Sequence, residues 1–264
     1  MIRVAGLRAR GRHNFQNIEL VTRELKIPRL PTEFDGFRLL HMADLHLDLC
    51  PELLTPAVLR TLEQADFDLC INTGDFVLWH KGWPLALAEF TRIAEAIHSP
   101  HFGVLGNHDS VAHVADLEAT GLHLLMNEAT PIRRGDAEIW LAGVDDPHYF
   151  KSCDLEHALV KVPGGDVASR AVTLLLAHAP VYGDEAAASG RVDAMFCGHT
   201  HGGQLCLPGG APIVTHSDGA RDRVKGPWRA GAVQGYTSRG IGCSGVAARF
   251  NCRPEITCHI LRKG

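Results

Sequence analysis

A chain of 264 residues with 45% hydrophobic residues, 21% charged residues and a formal charge of −4 has the composition of an ordinary folded protein. Its 27 glycines and 14 prolines follow no collagen period and are too few for a low-complexity chain. The net charge excludes a general attraction to nucleic acid, and no apolar run approaches the roughly 18 residues of a membrane span.

The N-terminus carries Arg3, Arg8, Arg10 and Arg12 without the apolar stretch of a secretory signal. Residues 1–17 therefore read as a flexible end, and 18–264 as one domain without repeats or long linkers. Strand-length apolar runs then alternate with helix-length stretches. Arg38–Ala43 reads as a strand, and Thr55 followed by Pro56 reads as a cap and first-turn proline opening a helix to about Ala65. A strand follows at Asp68–Thr73, a helix at Trp83–Ile97, a strand at His101–Leu105 and a helix at Ala112–Thr120. Glu138–Val144, Ala171–Ala177 and Asp193–Cys197 are further strands, with a helix at Asp154–Val160. The stretch from Pro212 to Ile260 reads as shorter, glycine-punctuated strands that supply a second sheet. This alternation predicts an α/β layered fold. The eight cysteines include no C-x-x-C pair and read as reduced thiols of a cytoplasmic protein.

Histidine is the unusual residue, with 16 copies. Five apolar runs end in polar clusters: Asp44-Leu45-His46, Gly74-Asp75, Gly106-Asn107-His108-Asp109, His178, and Gly198-His199-Thr200-His201. In an α/β sheet the carboxyl ends of the strands open onto one crevice, so these groups are expected to converge. Carboxylates mixed with imidazoles suit a borderline divalent metal such as Mn, Fe, Zn, Ni or Co. The number of ligand-type groups exceeds the need of one ion, which points to two, about 3.5–4 Å apart and bridged by a carboxylate and a solvent-derived oxygen. Such a pair yields hydroxide near neutral pH and neutralises a phosphoryl group under attack. The glycines before Asp75, Asn107 and His199 are expected to allow the sharp turns that aim these side chains. Each element also has a bland reading: an isolated Asp after a strand caps a helix, and a lone His in an apolar run is a hydrogen-bonded core residue.

In order and spacing, these five clusters resemble the calcineurin-like metallophosphoesterase superfamily. The resemblance implies a four-layer α-β-β-α sandwich of two mixed β-sheets flanked by helices, with the dimetal site at the sheet edge. It implies Asp44, His46 and His201 on one metal, Asn107, His178 and His199 on the other, and Asp75 bridging. The metals are expected to be two divalent ions, with Mn2+ favoured. His108 is implied to contact the scissile phosphate and protonate the leaving oxygen, with Asp109 orienting it. The segments 198–204, Ser238-Arg239-Gly240-Ile241-Gly242, Arg253-Pro254-Glu255-Ile256 and Pro31–Leu40 are similar to a bacterial branch of small phosphodiesterases related to UDP-2,3-diacylglucosamine pyrophosphatases.

The reading that follows is a phosphohydrolase cleaving phosphodiester or pyrophosphate bonds, with a lipid-linked nucleotide such as UDP-2,3-diacylglucosamine as candidate substrate. Alternatives are a phosphodiesterase acting on nucleotides or nucleic acid, and a non-catalytic scaffold of the same fold. No obligate protein partner is expected, and the location is expected to be cytoplasmic, at the inner membrane face with peripheral membrane association. Arg239, His80 and His148 are candidates for substrate binding, with His216 in the same group, and the basic segment Arg221–Arg229 is a candidate contact to phosphate or lipid.

Overall fold

The computed structural model describes residues 6–165, 169–215 and 221–264. Arg3 and His216 lie outside the described residues.

Helix α1 (Leu7–Phe15) opens the structure, followed by strands β1 (Glu19–Ile27) and β2 (Arg38–Met42), helix α2 (Pro51–Leu62), β3 (Leu69–Asn72), α3 (Trp83–Ala94) and β4 (His101–Gly103). Next come α4 (Val114–Glu118), β5 (Leu122–Leu124), β6 (Glu128–Arg134), β7 (Ala137–Gly143), α5 (Leu155–Ala158), β8 (Thr173–Leu176), α6 (Gly183–Ala188) and β9 (Ala194–Cys197). Strands β10 (Gly226–Ala230), β11 (Val233–Thr237) and β12 (Glu255–Lys263) complete it.

Two six-stranded sheets form, in the orders β1-β12-β2-β3-β4-β5 and β10-β11-β9-β8-β7-β6. Strands β2 to β5 run parallel to their neighbours, as do β7, β8, β9 and β11, while β12 is antiparallel to β2, β6 to β7 and β10 to β11. Strands β3, β8 and β9 are buried along their whole length, because both faces are covered. Leu39, Leu69 and Ile71 meet Leu174, Leu176 and Phe196 between the sheets. Their alternating neighbours Leu40, Met42 and Cys70 pack on Leu54, Val58 and Phe90 of α2 and α3. On the other side Leu175, Met195 and Cys197 pack on Leu155, Ala158 and Ala186 of α5 and α6. The order helix, sheet, sheet, helix is the expected four-layer sandwich.

Three expectations are corrected. Residues 7–15 are helix α1 and part of the packed domain: Phe15 is fully buried in the core with Leu40 and Ile256, and Asn14 donates to the Arg249 carbonyl (2.9 Å). Helix α2 starts at Pro51, which takes the first-turn position, so Thr55 and Pro56 lie inside it and Thr55 is buried, not capping. The C-terminal stretch is divided between the sheets. Only β10 and β11 join the second, while β12 lies inside the first, between β1 and β2. Its alternation of Ile256, Cys258 and Ile260 with Glu255, Thr257 and His259 resembles a half-exposed strand, yet all but Ile260 are buried.

Candidate metal centre

The carboxyl ends of parallel strands deliver the clustered residues. Asp44 and His46 follow β2, Asp75 follows β3, Asn107 and His108 follow β4, His178 follows β8, and His199 and His201 follow β9. Backbone hydrogen bonds fasten these ends together: Asp44 N–H donates to Gly74 O (3.0 Å), His46 N–H to Asp75 O (3.0 Å) and Gly198 N–H to His178 O (2.9 Å). The turns are made differently from the expectation. Asp44, His46, Asp75, His199 and His201 themselves adopt positive φ, between 43° and 72°, a conformation that costs a non-glycine residue on the order of 1–3 kcal/mol. Of the three glycines only Gly74 has positive φ. Gly198 serves close approach instead: a Cβ there would lie 2.6 Å from Asp44 Oδ2, as one on Gly240 would at 2.7 Å.

Asp44, His46 and His201 present ligand atoms within 4.8 Å of one another, and so do Asp44, Asp75 and His178. His46 Nε2 lies 3.2 Å from His201 Nε2, and Asp75 Oδ2 lies 3.6 Å from His46 Nε2 and 3.3 Å from His178 Nε2. Asn107 Oδ1 lies 3.0 Å from His178 Nε2 and 2.8 Å from His199 Nδ1. The structure thus brings Asp44, His46 and His201 together on one side of Asp75 and Asn107, His178 and His199 on the other, and it also places an Asp44 oxygen within 4.8 Å of ligand atoms of Asp75 and His178. The imidazoles are oriented from behind. His46 Nδ1 donates to Val77 O (3.2 Å) and His178 Nδ1 to Thr73 O (2.7 Å), which leaves both Nε2 atoms facing the centre.

The electrostatics call for cations. Burial, with Asp75 nearby, raises the Asp44 carboxyl to about 7, and Asp44 Oδ2 is buried without a hydrogen-bond partner. Burial alone would raise Asp75 too, but His178 and His46 hold it well below the usual carboxylate range. His178 is raised to about 10 by the Asp75 carboxylate despite its burial, whereas burial lowers His46 to about 4 and takes His201 well below its ordinary value. Two divalent ions would meet the orphaned Asp44 oxygen and the facing imidazole nitrogens together.

The remaining candidates differ in where the fold places them. His108 is half-buried beside the centre, with its ring 5.1 Å from that of His46, and its Nδ1 donates to Leu78 O (2.8 Å). His148 lies with its ring 4.5 Å from His199, and exposed His80 lines a cavity of about 460 Å3 together with Gly106, Asp109 and Phe150.

Asp109 is corrected. Its carboxylate does not touch the His108 ring; it accepts from the backbone N–H groups of Asp75 (2.7 Å), Phe76 (3.0 Å) and Gly106 (2.9 Å), so it clamps two ligand loops, and the Leu78 carbonyl orients His108. Arg239 is corrected as well, because its guanidinium is held by Glu255 and by Glu19 (2.9 Å). In the basic segment, Arg223 pairs with Asp184 (2.6 Å) and Lys225 donates to Gly210 O.

Sequence reasoning missed Arg249. This fully buried side chain donates to the carbonyls of Gly242 (3.1 Å), Arg239 (2.7 Å), His201 (3.2 Å) and Gly240 (3.1 Å), locking the loop behind His201. Its spacing from any motif carried no signal.

Comparison with known proteins agrees with this geometry. Residues 37–203 match the family model "Calcineurin-like phosphoesterase". The chain is 33% identical over 237 residues to "Phosphodiesterase YaeI" of Escherichia coli (strain K12), covering 84% of this chain and 80% of that protein. It is 29% identical over 259 residues to the metallophosphoesterase YkuE of Bacillus subtilis (strain 168), covering 93% and 86%. With two adjoining ligand groups at the strand ends and a family match spanning all of them, the chain belongs to the calcineurin-like phosphoesterases and is a metal-dependent phosphoester hydrolase with a dinuclear divalent site.

Proposed function

We propose that this enzyme cleaves a phosphodiester or pyrophosphate bond in an amphiphilic, lipid-linked nucleotide such as UDP-2,3-diacylglucosamine, using Mn2+, in the cytoplasm at the inner face of a membrane. The supporting observation is the apolar rim. Trp79, Val111, Tyr149 and Phe150 are 56%, 71%, 71% and 54% exposed, and they sit on the loops that follow β3, β4 and β7, beside Asp75, Asn107 and His148. Leu207 and Ile213, on the segment after His201, are exposed too. Val111 and Phe150 line one cavity with His80, Gly106 and Asp109, and large exposed apolar side chains on the loops that carry the ligand residues suit an amphiphile or a lipid surface better than a free nucleotide. The buried thiols Cys70, Cys197, Cys206, Cys243, Cys252 and Cys258 suit a reducing compartment.

Asp44, His46 and His201, with Asp75, Asn107, His178 and His199, would hold the ions. Bound there, two divalent ions supply Lewis acidity to the phosphoryl oxygens and make a water acidic enough to act as nucleophile near neutral pH. The chain's own residues do the rest. Asp109 keeps the Asp75 and Asn107 loops in register by accepting backbone N–H groups from both sides. His108, tied through the Nδ1–H to Leu78 O, leaves Nε2 free, and with the ring in its imidazolium form Nε2–H would give its proton to the leaving oxygen while the Nδ1–H stays on Leu78 O. His80 and His148 flank the opening, where they can accept from or donate to the substrate beyond the scissile bond.

The test is a side-by-side assay of metal-analysed protein on UDP-2,3-diacylglucosamine in mixed micelles, bis(p-nitrophenyl) phosphate and p-nitrophenyl phosphate. The lipid-linked substrate is expected to have the highest kcat/KM, and Trp79→Ser with Phe150→Ser is expected to raise its KM while leaving the diester unchanged. Equal loss on both substrates, or no cleavage of the lipid-linked one, overturns the reading.

A further inference from the structure

The ring of His108 is aimed by a peptide bond, and that peptide is itself held by a carboxylate outside both ligand groups. The His108 backbone N–H donates to Asp75 Oδ1 (2.9 Å), which fixes where the side chain starts, and its Nδ1–H donates to Leu78 O (2.8 Å), which fixes how the ring is turned. Leu78 lies beyond the end of β3 and belongs to no strand or helix, so no ladder sets the direction of its carbonyl. Asp48 sets it instead. Its Oδ1 accepts from the Leu78 N–H (2.6 Å) and its Oδ2 from the Trp79 N–H (3.0 Å). The second donor belongs to the same peptide unit as the Leu78 carbonyl, and in a planar trans peptide the N–H and C=O point in opposite directions. Capturing the N–H on one side therefore turns the C=O to the other, toward His108.

The fold builds this approach from both sides. His46 N–H donates to Asp75 O (3.0 Å) and Leu47 N–H to Phe76 O (3.0 Å), which lays the segment after β2 along the loop after β3 and carries Asp48 to Leu78 and Trp79. Gly82 closes the turn by donating its N–H to Trp79 O (2.7 Å). A Cβ on Gly82 would lie 2.5 Å from Asp48 Oδ2 and 2.6 Å from Asp48 Cβ, so a larger residue there would push the carboxylate off the loop. The contact also has an electrostatic side. A carboxylate drawing on a peptide N–H polarises that peptide and makes its oxygen a stronger acceptor. Asp48, the Leu78–Trp79 peptide and the His108 imidazole thus form one hydrogen-bonded chain that starts at a negative charge.

We propose that Asp48 is a positioning residue for the proton donor, acting on His108 through the Leu78–Trp79 peptide. The inference rests on the donor role of His108 proposed above. A carboxylate bonded directly to an imidazole holds it in one tautomer and one orientation. Asp109 does not touch the His108 ring, and Asp48 performs the same service at one peptide's remove. With Nδ1 fixed as the donor to Leu78 O, Nε2 is the atom that faces the leaving oxygen. Without Asp48 the carbonyl is free to swing, and the ring to turn or to take the other tautomer.

Two measurements on wild type, Asp48→Ala, Asp48→Asn and His108→Ala test this. In zinc-loaded, ¹⁵N-histidine-labelled protein at about pH 8.5, where an ordinary imidazole is neutral, long-range ¹H–¹⁵N correlations report the tautomer of His108, with His108→Ala identifying its signal. Wild type is expected to hold the Nδ1–H tautomer and Asp48→Ala to shift toward Nε2–H. In the second measurement, Asp48→Ala is expected to lower kcat on diphenyl phosphate, whose phenolate leaves poorly without a proton, by roughly tenfold or more. Bis(p-nitrophenyl) phosphate, with its better leaving group, is expected to lose much less, with KM and bound metal unchanged. Asp48→Asn, which keeps one acceptor oxygen, is expected to fall between, and Asp48→Ala to add nothing in the His108→Ala background. A merely structural role would lower both diesters alike. An unchanged tautomer, or equal loss on the two diesters while His108→Ala still separates them, overturns the role of Asp48. Equal loss on both diesters in His108→Ala overturns the donor reading itself, and the role of Asp48 with it.

Discussion

His46 and His201 face each other through Nε2 atoms 3.2 Å apart, with their rings stacked at 5.0 Å between centroids. The Val77 carbonyl accepts a hydrogen bond from the His46 Nδ1–H, so the Nε2 lone pair of His46 points at the other ring. A cation shared with Asp44 resolves that contact. His46→Ala and His201→Ala are therefore expected each to lose one of two bound metal equivalents and to lower turnover by on the order of 10² or more. Elemental analysis of gel-filtered protein checks it; two retained equivalents in both variants would contradict the assignment.

His108 contacts the centre without belonging to either ligand group, and its Nδ1 is committed to Leu78 O. His108→Ala is expected to keep both metals while turnover falls by about 10² to 10⁴. Metal content and single-substrate kinetics measured on one preparation decide this, and normal turnover would rule out the proton-donor role.

Asp109 accepts three backbone N–H groups and is 1% exposed, so Asp109→Asn leaves at least one buried donor without its charged acceptor. The expected loss is roughly 1–3 kcal/mol of stability. Because the carboxylate does not touch His108, the shape of the pH–rate profile is expected to stay as in wild type. A shifted profile with unchanged denaturation would restore the orienting role.

Gly198 and Gly240 enclose the Asp44 carboxylate, and a Cβ on either would come within 2.7 Å of Oδ2. Gly198→Ala is expected to displace Asp44 and weaken metal retention at least tenfold, measured by competition with a chelating dye. Unchanged affinity would mean that Asp44 Oδ2 is not a ligand atom.

Acid stability depends on histidines remote from the metals. Burial lowers His41 and His101 to about 3, and His101 Nε2 is unpaired. The folded pKa lies below the unfolded one, so the unfolded chain binds more protons between about pH 6.5 and 3. Stability is full above that window and falls as pH drops through it. His101→Phe is expected to flatten the fall by up to about 1.4 kcal/mol per pH unit relative to wild type. Urea denaturation at pH 7.5, 5.5 and 4.5 measures the difference, and parallel curves would show that His101 does not titrate this way.

The ligand residues were legible because each follows directly on a buried strand, so strand ends and local order were enough to predict their convergence. The strands β3, β8 and β9 carry continuous apolar runs for the same reason: layers cover both faces. Strand β12 was obscured because a polar residue such as Glu255 is buried with partners from other segments: it accepts from Tyr236 and Arg239, contacts with no sequence period.

Chemistry that depends on the identity of a side chain and its place after a strand was thus determined by the sequence alone: the carboxylate and imidazole set and the α/β layering, with the four layers and the phosphoesterase family following from the resemblance those residues carry. Partnership was decided only by the tertiary structure. Arg239 and Arg249 are both arginines near the same motif, yet one is held by Glu255 and Glu19 and the other by four loop carbonyls. The same holds for Asp109, whose loop clamp depends on Asp75 and Phe76, 34 and 33 residues away. Hydrogen bonds between distant segments leave no period in the chain, so only the folded arrangement shows which charge is free to act and which is already bound.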